Sequence, residues 1–356
     1  MISLFSEANL KSEILFQGRL HVHVEGEAGV DAGGMAKDVL SDFLELVLMP
    51  QSGLFLTIDG DTYAPSTDSS VSETAYESIG RILMKAILDG HTLRVPFAAH
   101  VWKFILSGHE SVLDLSDLED YDERFHKTLR ENLLEVDIKD GARLMLTFEG
   151  LKRNGSTQNV TNANKMEYIY LLLRQRLFAS CIDKLLAIRR GFWADIGKLV
   201  EREDQLTVTE RGSRPLLSVH KFKKLLESLG WSDLRSLLSG PAICTAEDIV
   251  GQIEWDPLQR QPGVENSVRY LKRYISVMDS TKIRQFLRFV TGSPCLPFGG
   301  LDKGKRIRLL RSRGGCDRLP TVHTCFNTLE LPLYGSYEVL KEKFDAALLT
   351  AGCLLE

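Results

Sequence analysis

Nowhere in the 356-residue sequence does an apolar run continue for the ~20 residues that a helix needs to cross a bilayer, so no membrane segment is expected. Residues Met1 to Leu10 are polar and interrupted, without a charged start opening into an apolar stretch, which speaks against a signal peptide. Both absences point to the cytoplasm, with the nucleus left open. Excess positive charge is lacking too. Lysine and arginine number 44 against 48 acidic residues, a net charge of -4, so no bulk field draws the chain to nucleic acid or an anionic membrane. Cys181, Cys244, Cys295, Cys316, Cys325 and Cys353 are scattered, with no CxxC pair and no histidines at zinc spacing. They read as free thiols, most of them small buried hydrophobes, and no metal or other cofactor is expected. Without a leader, the sequons Asn154-Gly155-Ser156 and Asn159-Val160-Thr161 are chance matches in a polar loop. Internal repeats and low-complexity tracts are absent.

What is present is the composition of a soluble globular protein, 44% hydrophobic and 26% charged, on a chain long enough for two or three compact units. Arg19 to Glu25 alternates polar and apolar like a half-buried strand and runs into a glycine-rich elbow, Gly26 to Gly34, before a helix at Lys37 to Leu48. Thr74-x-x-Glu77 reads as a capping box for a helix carrying Ile79, Ile82, Leu83, Ala86 and Ile87. Arg94 to Leu106 continues the helical spacing, with Pro96 in a first turn. A short strand is expected at Leu144 to Phe148, then a second cap at Asn164-x-x-Glu167 and a helix through Ala179, with further helices at Ile182 to Trp193 and Ser218 to Leu229.

Two prolines, a glycine and little that could be buried mark Asp256 to Gly263 as a linker. Beyond it, Asn266 to Met278 and Ser280 to Val290 are amphipathic, the second ending at Gly292. Arg306 to Leu309 and Leu329 to Leu331 alternate like strands, and Ser336 caps a last helix facing Tyr337, Leu340, Phe344, Ala347 and Leu348 one way. The expected class is α+β, a largely helical first part with small sheets joined to a compact α/β unit.

Cys325 sits in Leu319-Pro320-Thr321-Val322-His323-Thr324-Cys325-Phe326-Asn327, where Pro320 stiffens the approach and a strand-like run follows. This places the thiol on a loop at the end of a sheet. From the residues alone, a buried structural cysteine and a nucleophile both stand, since a neighbouring histidine is a weak sign of catalysis. That segment resembles the active-cysteine loop of HECT ubiquitin ligases. Phe286-Leu287-Arg288-Phe289-Val290-Thr291-Gly292-Ser293 with Leu296-Pro297-Phe298-Gly299-Gly300 resembles the helix and turn before it. Val24 to Gly34 resembles the family's opening strand and elbow, and Tyr76-Glu77-Ser78-Ile79-Gly80-Arg81, Gly90-His91 and Val95-Pro96-Phe97 its early helices. Val160-Thr161-Asn162-x-Asn164-Lys165-x-Glu167-Tyr168 is similar to another landmark. These stand in the family's order over about residues 20 to 356.

The resemblance implies a bilobal fold: an N-terminal lobe over residues 1–255, a hinge over 256–263, and a C-terminal lobe over 264–356. It implies a ubiquitin ligase that takes ubiquitin from a conjugating enzyme as a thioester on Cys325 and passes it to a substrate lysine. His323 and Thr324 are candidates to orient the ubiquitin tail and to donate to the oxyanion. The conjugating enzyme is expected on a smaller subdomain, roughly Leu133 to Asp204. Two departures stand out. Many members have Phe four positions from the end, where this chain has Cys353, which puts the lysine-transfer step rather than thioester formation in question. Glu356 keeps a terminal acid able to attract an acceptor lysine, or to be a solvated end. The family's long N-terminal helix is expected to be shortened or missing, as in a fragment or a reduced member. The basic run Lys303, Lys305, Arg306, Arg308, Arg311 and Arg313 lacks interleaved aromatics and reads as a solvated strand face rather than a nucleic-acid site. Two other readings remain open: a non-catalytic module that binds ubiquitin or a conjugating enzyme, and a cysteine hydrolase, for which the loop supplies one histidine but no triad.

Overall fold

A computed structural model describes residues 34–58, 62–68, 71–119, 121–138, 146–205, 219–240, 244–297, 299–301 and 303–353, with backbone alone at 34–35, 195, 197–205, 259, 303, 325 and 350–353. The strand and elbow expected at Arg19 to Gly33 and the terminal Glu356 lie outside the described residues.

Helix α1 (Gly34–Leu48) forms where Ala36, Leu40, Phe43, Leu44 and Val47 recur on one buried face. A two-stranded antiparallel ribbon, β1 (Phe55–Thr57) and β2 (Tyr63–Pro65), precedes α2 (Glu73–Asp89). The capping box expected at Thr74 and Glu77 does not form. The helix already runs from Glu73, the Ser72 hydroxyl accepts from the Thr74 N–H at 3.3 Å, and Glu77 instead pairs with Arg190 at 3.0 Å. The next helix also starts later than its spacing predicts, as α3 (Ala99–Ser107). Pro96 lies in extended chain, its carbonyl accepting from the Tyr63 N–H at 2.9 Å while Phe97 bridges Tyr63. A strand contact there outweighs the proline's preference for a first helical turn.

The short α4 (Ser116–Glu119) and α5 (Glu123–Leu129) lead through a π-type turn, Arg130–Leu134, towards α6 (Lys165–Leu177) and the long α7 (Ile182–Gln205). Of the strand expected at Leu144 to Phe148, the described part keeps an antiparallel bridge between Thr147 and Asn159. Asn164 stands at the start of α6 without capping it. Its carboxamide accepts from the Thr161 N–H at 2.7 Å and donates to the Asn159 carbonyl at 3.0 Å, while Glu167 pairs with Lys152 at 2.7 Å. Then come α8 (Val219–Glu227), α9 (Trp231–Ser239), α10 (Ala246–Gln252), β3 (Ile253–Glu254), α11 (Asp256–Gln259), α12 (Glu265–Ser276) and α13 (Ser280–Thr291). The chain finishes with β4 (Ile307–Arg311), β5 (Thr321–His323), β6 (Thr328–Leu331) and α14 (Tyr337–Cys353).

These elements gather into two compact units. The first holds Leu46–Met84 and Pro96–Leu234. Its core is aromatic-rich, with Tyr76, Trp102, Phe104, Phe148, Phe178 and Phe192 buried. There α2 and α7 approach closely at two glycines: a Cβ on Gly80 would lie 2.0 Å from the Ile188 carbonyl oxygen, and one on Gly191 1.9 Å from that of Glu77. Only hydrogen in place of a side chain permits that approach.

The second unit holds Lys85–Val95, Arg235–Glu356 and the described part of Leu15–Glu45. Its sheet runs in the order β3-β4-β6-β5, with β3, β4 and β6 parallel and β5 antiparallel to β6 at the edge. One face is buried through Ile307, Leu309, Leu329 and Leu331, and α12, α13 and α14 complete the core through Leu271, Tyr274, Phe286, Leu287, Leu340 and Phe344. Helix α13 is bounded as its sequence predicts: Asp279 accepts from the Lys282 N–H at 2.8 Å, and Gly292 closes it at φ 69°. The linker composition at 256–263 conceals one anchor, and a second follows it directly. Leu258 and Val264 are fully buried in this core, which also takes in Ile249 and Ile253, leaving Arg260 to Gly263 as the stretch outside regular structure.

Candidate active site

Strands β5 and β6 form a hairpin in which His323 pairs with Thr328, so four residues, Thr324 to Asn327, make the loop. Thr324–Phe326 is a single 3₁₀ turn, and Asn327 follows at φ 46°, ψ 46° with its N–H on the Thr324 carbonyl at 3.2 Å. A left-handed residue is what lets a four-residue loop return the chain into a strand, and asparagine tolerates that conformation better than most side chains. The side chain of Asn327 donates to the Lys305 carbonyl at 2.5 Å, and its own carbonyl accepts from the Arg308 N–H at 2.9 Å. The Thr328 hydroxyl donates to the Phe326 carbonyl at 3.2 Å. The backbone of Cys325 is thereby held at the tip of the hairpin, at one end of the sheet.

The approach to β5 is also held. Pro320 is buried, and the hydroxyl of the buried Tyr334 donates to the Arg318 carbonyl at 2.9 Å. Tyr334 is fixed in turn by its N–H on the Ser267 hydroxyl of α12 at 3.1 Å. Phe326, next to Cys325, is 71% exposed, the largest apolar side chain so presented among the described residues.

The pleat sorts the residues around the loop. The row Glu254, Arg308, Thr328, His323 and the row Leu310, Glu330, Thr321 share the face opposite the core. On that face His323 Nε2 lies 3.5 Å from Glu330 Oε1, and Arg308 lies 3.9 Å from Glu254. Thr324 is half-buried beside the turn. His323 ends β5 and Thr324 opens the loop, the two residues before Cys325 in the chain. What sequence reasoning missed is Glu330, whose pairing with His323 depends on strand register. Arg308 lies on the solvated face, as read from the basic run, and Lys305 and Arg306 are exposed beside it.

Of the other described thiols Cys316 is exposed, Cys181 is buried, and Cys244 and Cys295 are half-buried. Burial pushes both Cys181 and Cys244 up to about 11, and burial also raises Cys295, against the Ser293 hydroxyl and the Lys37 and Arg94 charges that favour its thiolate. Each is thus held as the protonated, poorly nucleophilic form at neutral pH. Among the described residues no group of His, Cys, Asp or Glu is arranged to hold a metal ion, and no helix is long and apolar enough to cross a membrane.

Comparison with known proteins gives a concordant picture. A family model described as HECT-domain (ubiquitin-transferase) matches residues 41–353. The chain is 28% identical over 359 residues to mouse "E3 ubiquitin-protein ligase HUWE1", covering 95% of this chain and 8% of that protein. It is 29% identical over 355 residues to "E3 ubiquitin-protein ligase ptr1" of Schizosaccharomyces pombe, covering 93% and 10%. With "E3 ubiquitin-protein ligase UPL1" of Arabidopsis thaliana the identity is 26% over 371 residues, covering 97% and 9%. The chain thus spans about a tenth or less of the length of these relatives.

Proposed function

Because the chain belongs to the HECT-domain ubiquitin-transferase family, we propose that it accepts ubiquitin from a conjugating enzyme as a thioester on Cys325 and transfers it to a lysine of a protein substrate. The observation that carries this reading is the hairpin: its tip bears Cys325, its turn is clamped by Asn327, and the whole lies inside the family match. In the first step the Cys325 thiolate attacks the carbonyl carbon of the incoming thioester, and the conjugating enzyme's sulfur leaves. One thioester replaces another, so the step is near-neutral and the protein's task is positioning. An ordinary cysteine, with a pKa near ~8.5, supplies a few per cent thiolate at neutral pH and is already strongly nucleophilic.

In the second step an amine attacks the Cys325 thioester, the C–N bond forms, and sulfur leaves as thiolate. On this reading Thr324 donates to the developing oxyanion and His323 receives the proton that the amine must lose. Strand β5 is the sheet's edge, hydrogen-bonded on one side to β6, so its free side offers backbone partners to an extended tail.

The same reading divides the chain into an N-terminal lobe (1–255), a hinge (256–263) and a C-terminal lobe (264–356). Leu258 and Val264, on either side of Arg260 to Gly263, are both anchored in the core around β4 and β6, so movement at this hinge has to release one of them from that core. The subdomain at about Leu133 to Asp204 is the proposed dock for the conjugating enzyme. Val136 and Met166 there leave apolar surface in water, and Lys165 between them donates to the Val136 carbonyl at 3.0 Å.

The test is to combine the protein with ubiquitin, activating enzyme, a panel of conjugating enzymes and ATP, and to compare non-reducing with reducing gels. A band one ubiquitin heavier, lost with thiol and missing in Cys325→Ala, is the expected result. Should the folded protein form no thiol-sensitive adduct with any conjugating enzyme, the transferase reading fails and a non-catalytic binding module replaces it.

A further inference from the structure

Glu330 has no assigned task in the reaction outlined above, yet it stands one strand away from the residue that precedes the reactive loop. The hairpin register pairs Thr321 with Glu330 and His323 with Thr328, so all four side chains lie on the face of the sheet opposite the core, Thr328 being covered there. Glu330 is diagonal to His323 on that face, a separation that a long side chain spans. Glu330 Oε1 lies 3.5 Å from His323 Nε2, and the Thr321 hydroxyl reaches Glu330 Oε2 at 3.5 Å from the residue opposite. Glu330 therefore touches both ends of β5 and is itself only about one-third exposed.

Other charges around His323 are committed elsewhere. Arg308, two strands away in the same row, faces Glu254 at 3.9 Å. On α13, which packs behind β5, Arg288 binds Asp42 and Glu45, Lys282 binds Asp345 at 2.9 Å, and Arg284 bonds to Thr281. Lys305, whose carbonyl holds Asn327, is exposed beside β4. Among the described residues Glu330 is thus the carboxylate that meets the His323 ring.

We propose that Glu330 is a positioning residue for the lysine-transfer step, orienting His323 through Nε2 so that Nδ1 is free to take the proton released by the attacking amine. The inference rests on the transferase reading above. A carboxylate at Nε2 selects the tautomer with hydrogen on that nitrogen, leaving the Nδ1 lone pair as base, and it stabilises the imidazolium that forms. The step balances as follows. Amine nitrogen bonds to the thioester carbonyl carbon, the C–S bond breaks with its electron pair going to Cys325 sulfur, and one amine proton moves to His323 Nδ1 and then to water. No oxidant or cofactor is needed. Glu330 touches neither ubiquitin nor amine and acts only through His323.

The experiment is a single-turnover chase with the full chain. Cys325 is loaded with ubiquitin, the conjugating enzyme is quenched, and free lysine is added as acceptor. In Glu330→Gln the discharge of loaded thioester should slow about tenfold, a part of the roughly 10²–10⁴-fold that a general base contributes. Glu330→Asp keeps the carboxylate and should recover part of the rate, whereas a residue serving only the strand would be replaced better by isosteric glutamine. His323→Gln should show no additional loss when combined with Glu330→Gln. Discharge by Glu330→Gln at the parent's rate would overturn the proposal, as would equal losses in Gln and Asp. If the parent chain forms no thioester at all, it is the transferase reading that has failed.

Discussion

The Asn327 side chain holds the Lys305 carbonyl at 2.5 Å while its own backbone sits at φ 46°, so one residue both turns the hairpin and ties its tip to the chain entering β4. The two roles separate by substitution. Asn327→Gly keeps the left-handed backbone and loses the side-chain bond, a cost of about 1 kcal/mol. Asn327→Ala loses the bond and adds about 1–2 kcal/mol for a Cβ in that region. Thermal unfolding should rank parent, Gly, Ala in falling order, and the rate of forming the thiol-sensitive ubiquitin adduct should follow the same order. Equal stability for Gly and Ala would show that the loop relaxes out of the left-handed conformation.

Gly80 packs a helix against a backbone. With a Cβ at 2.0 Å from the Ile188 carbonyl oxygen, Gly80→Ala forces α2 and α7 apart within the first unit. Overpacking of this kind costs about 1–3 kcal/mol, and here helix propensity works in the opposite direction by roughly 1 kcal/mol. The expected net is a lower midpoint in urea or heat. Gly53→Ala, where nothing lies within 4 Å but φ is 66°, isolates the backbone contribution without any collision.

Within the second unit Arg288 of α13 binds Glu45 at 2.6 Å and also Asp42. The three side chains are partly shielded from water, so the pairing exceeds an exposed ion pair in value. Arg288→Met should lower stability by about 1–3 kcal/mol, leaving two carboxylates without their cation. A double-mutant cycle with Glu45→Gln should return a coupling above about 0.5 kcal/mol that shrinks as salt is raised. A coupling of zero would assign the contact no energetic role.

His100 is fully buried, with neither ring nitrogen hydrogen-bonded, between Tyr121 and Phe178. Burial, helped by the Lys103 charge, lowers it from 6.5 to about 3. The native state therefore refuses a proton that the unfolded chain accepts, so stability is unaffected above about pH 6.5 and is lost as pH falls from there towards about 3. The slope from this one group approaches ~1.4 kcal/mol per pH unit in mid-range. Denaturant unfolding from pH 7 to pH 4 should show a flatter decline for His100→Phe than for the parent. Parallel curves would mean that His100 gains a proton in the folded state.

Much of the architecture was readable from local pattern because local physics governs it. Helix α13 runs from Asp279's cap to Gly292 as its spacing predicts, and the strand alternation at Ile307 and Leu329 survives as the buried face of the sheet. Misreadings occurred where another partner, near or distant in the chain, competed for a local group. Thr74 and Asn164 look like caps, but neighbouring chain takes their polar atoms first, and Pro96 is drawn into a strand contact by Tyr63. Leu258 was invisible as an anchor because a single apolar residue among prolines and glutamines carries no period.

The amino-acid sequence by itself determined the family, since short ordered motifs need no fold to be read, and it offered the Cys325 loop as the candidate site. It also determined that the loop could close, through an asparagine at the one position that must turn left-handed. Which carboxylate meets His323 was decided only by tertiary structure. Glu330 lies seven positions from His323 in the chain, and strand register alone sets them on one face at 3.5 Å. Register is a property of two strands pairing, so shifting it by one residue would turn Glu330 to the core and leave the same sequence without that pair.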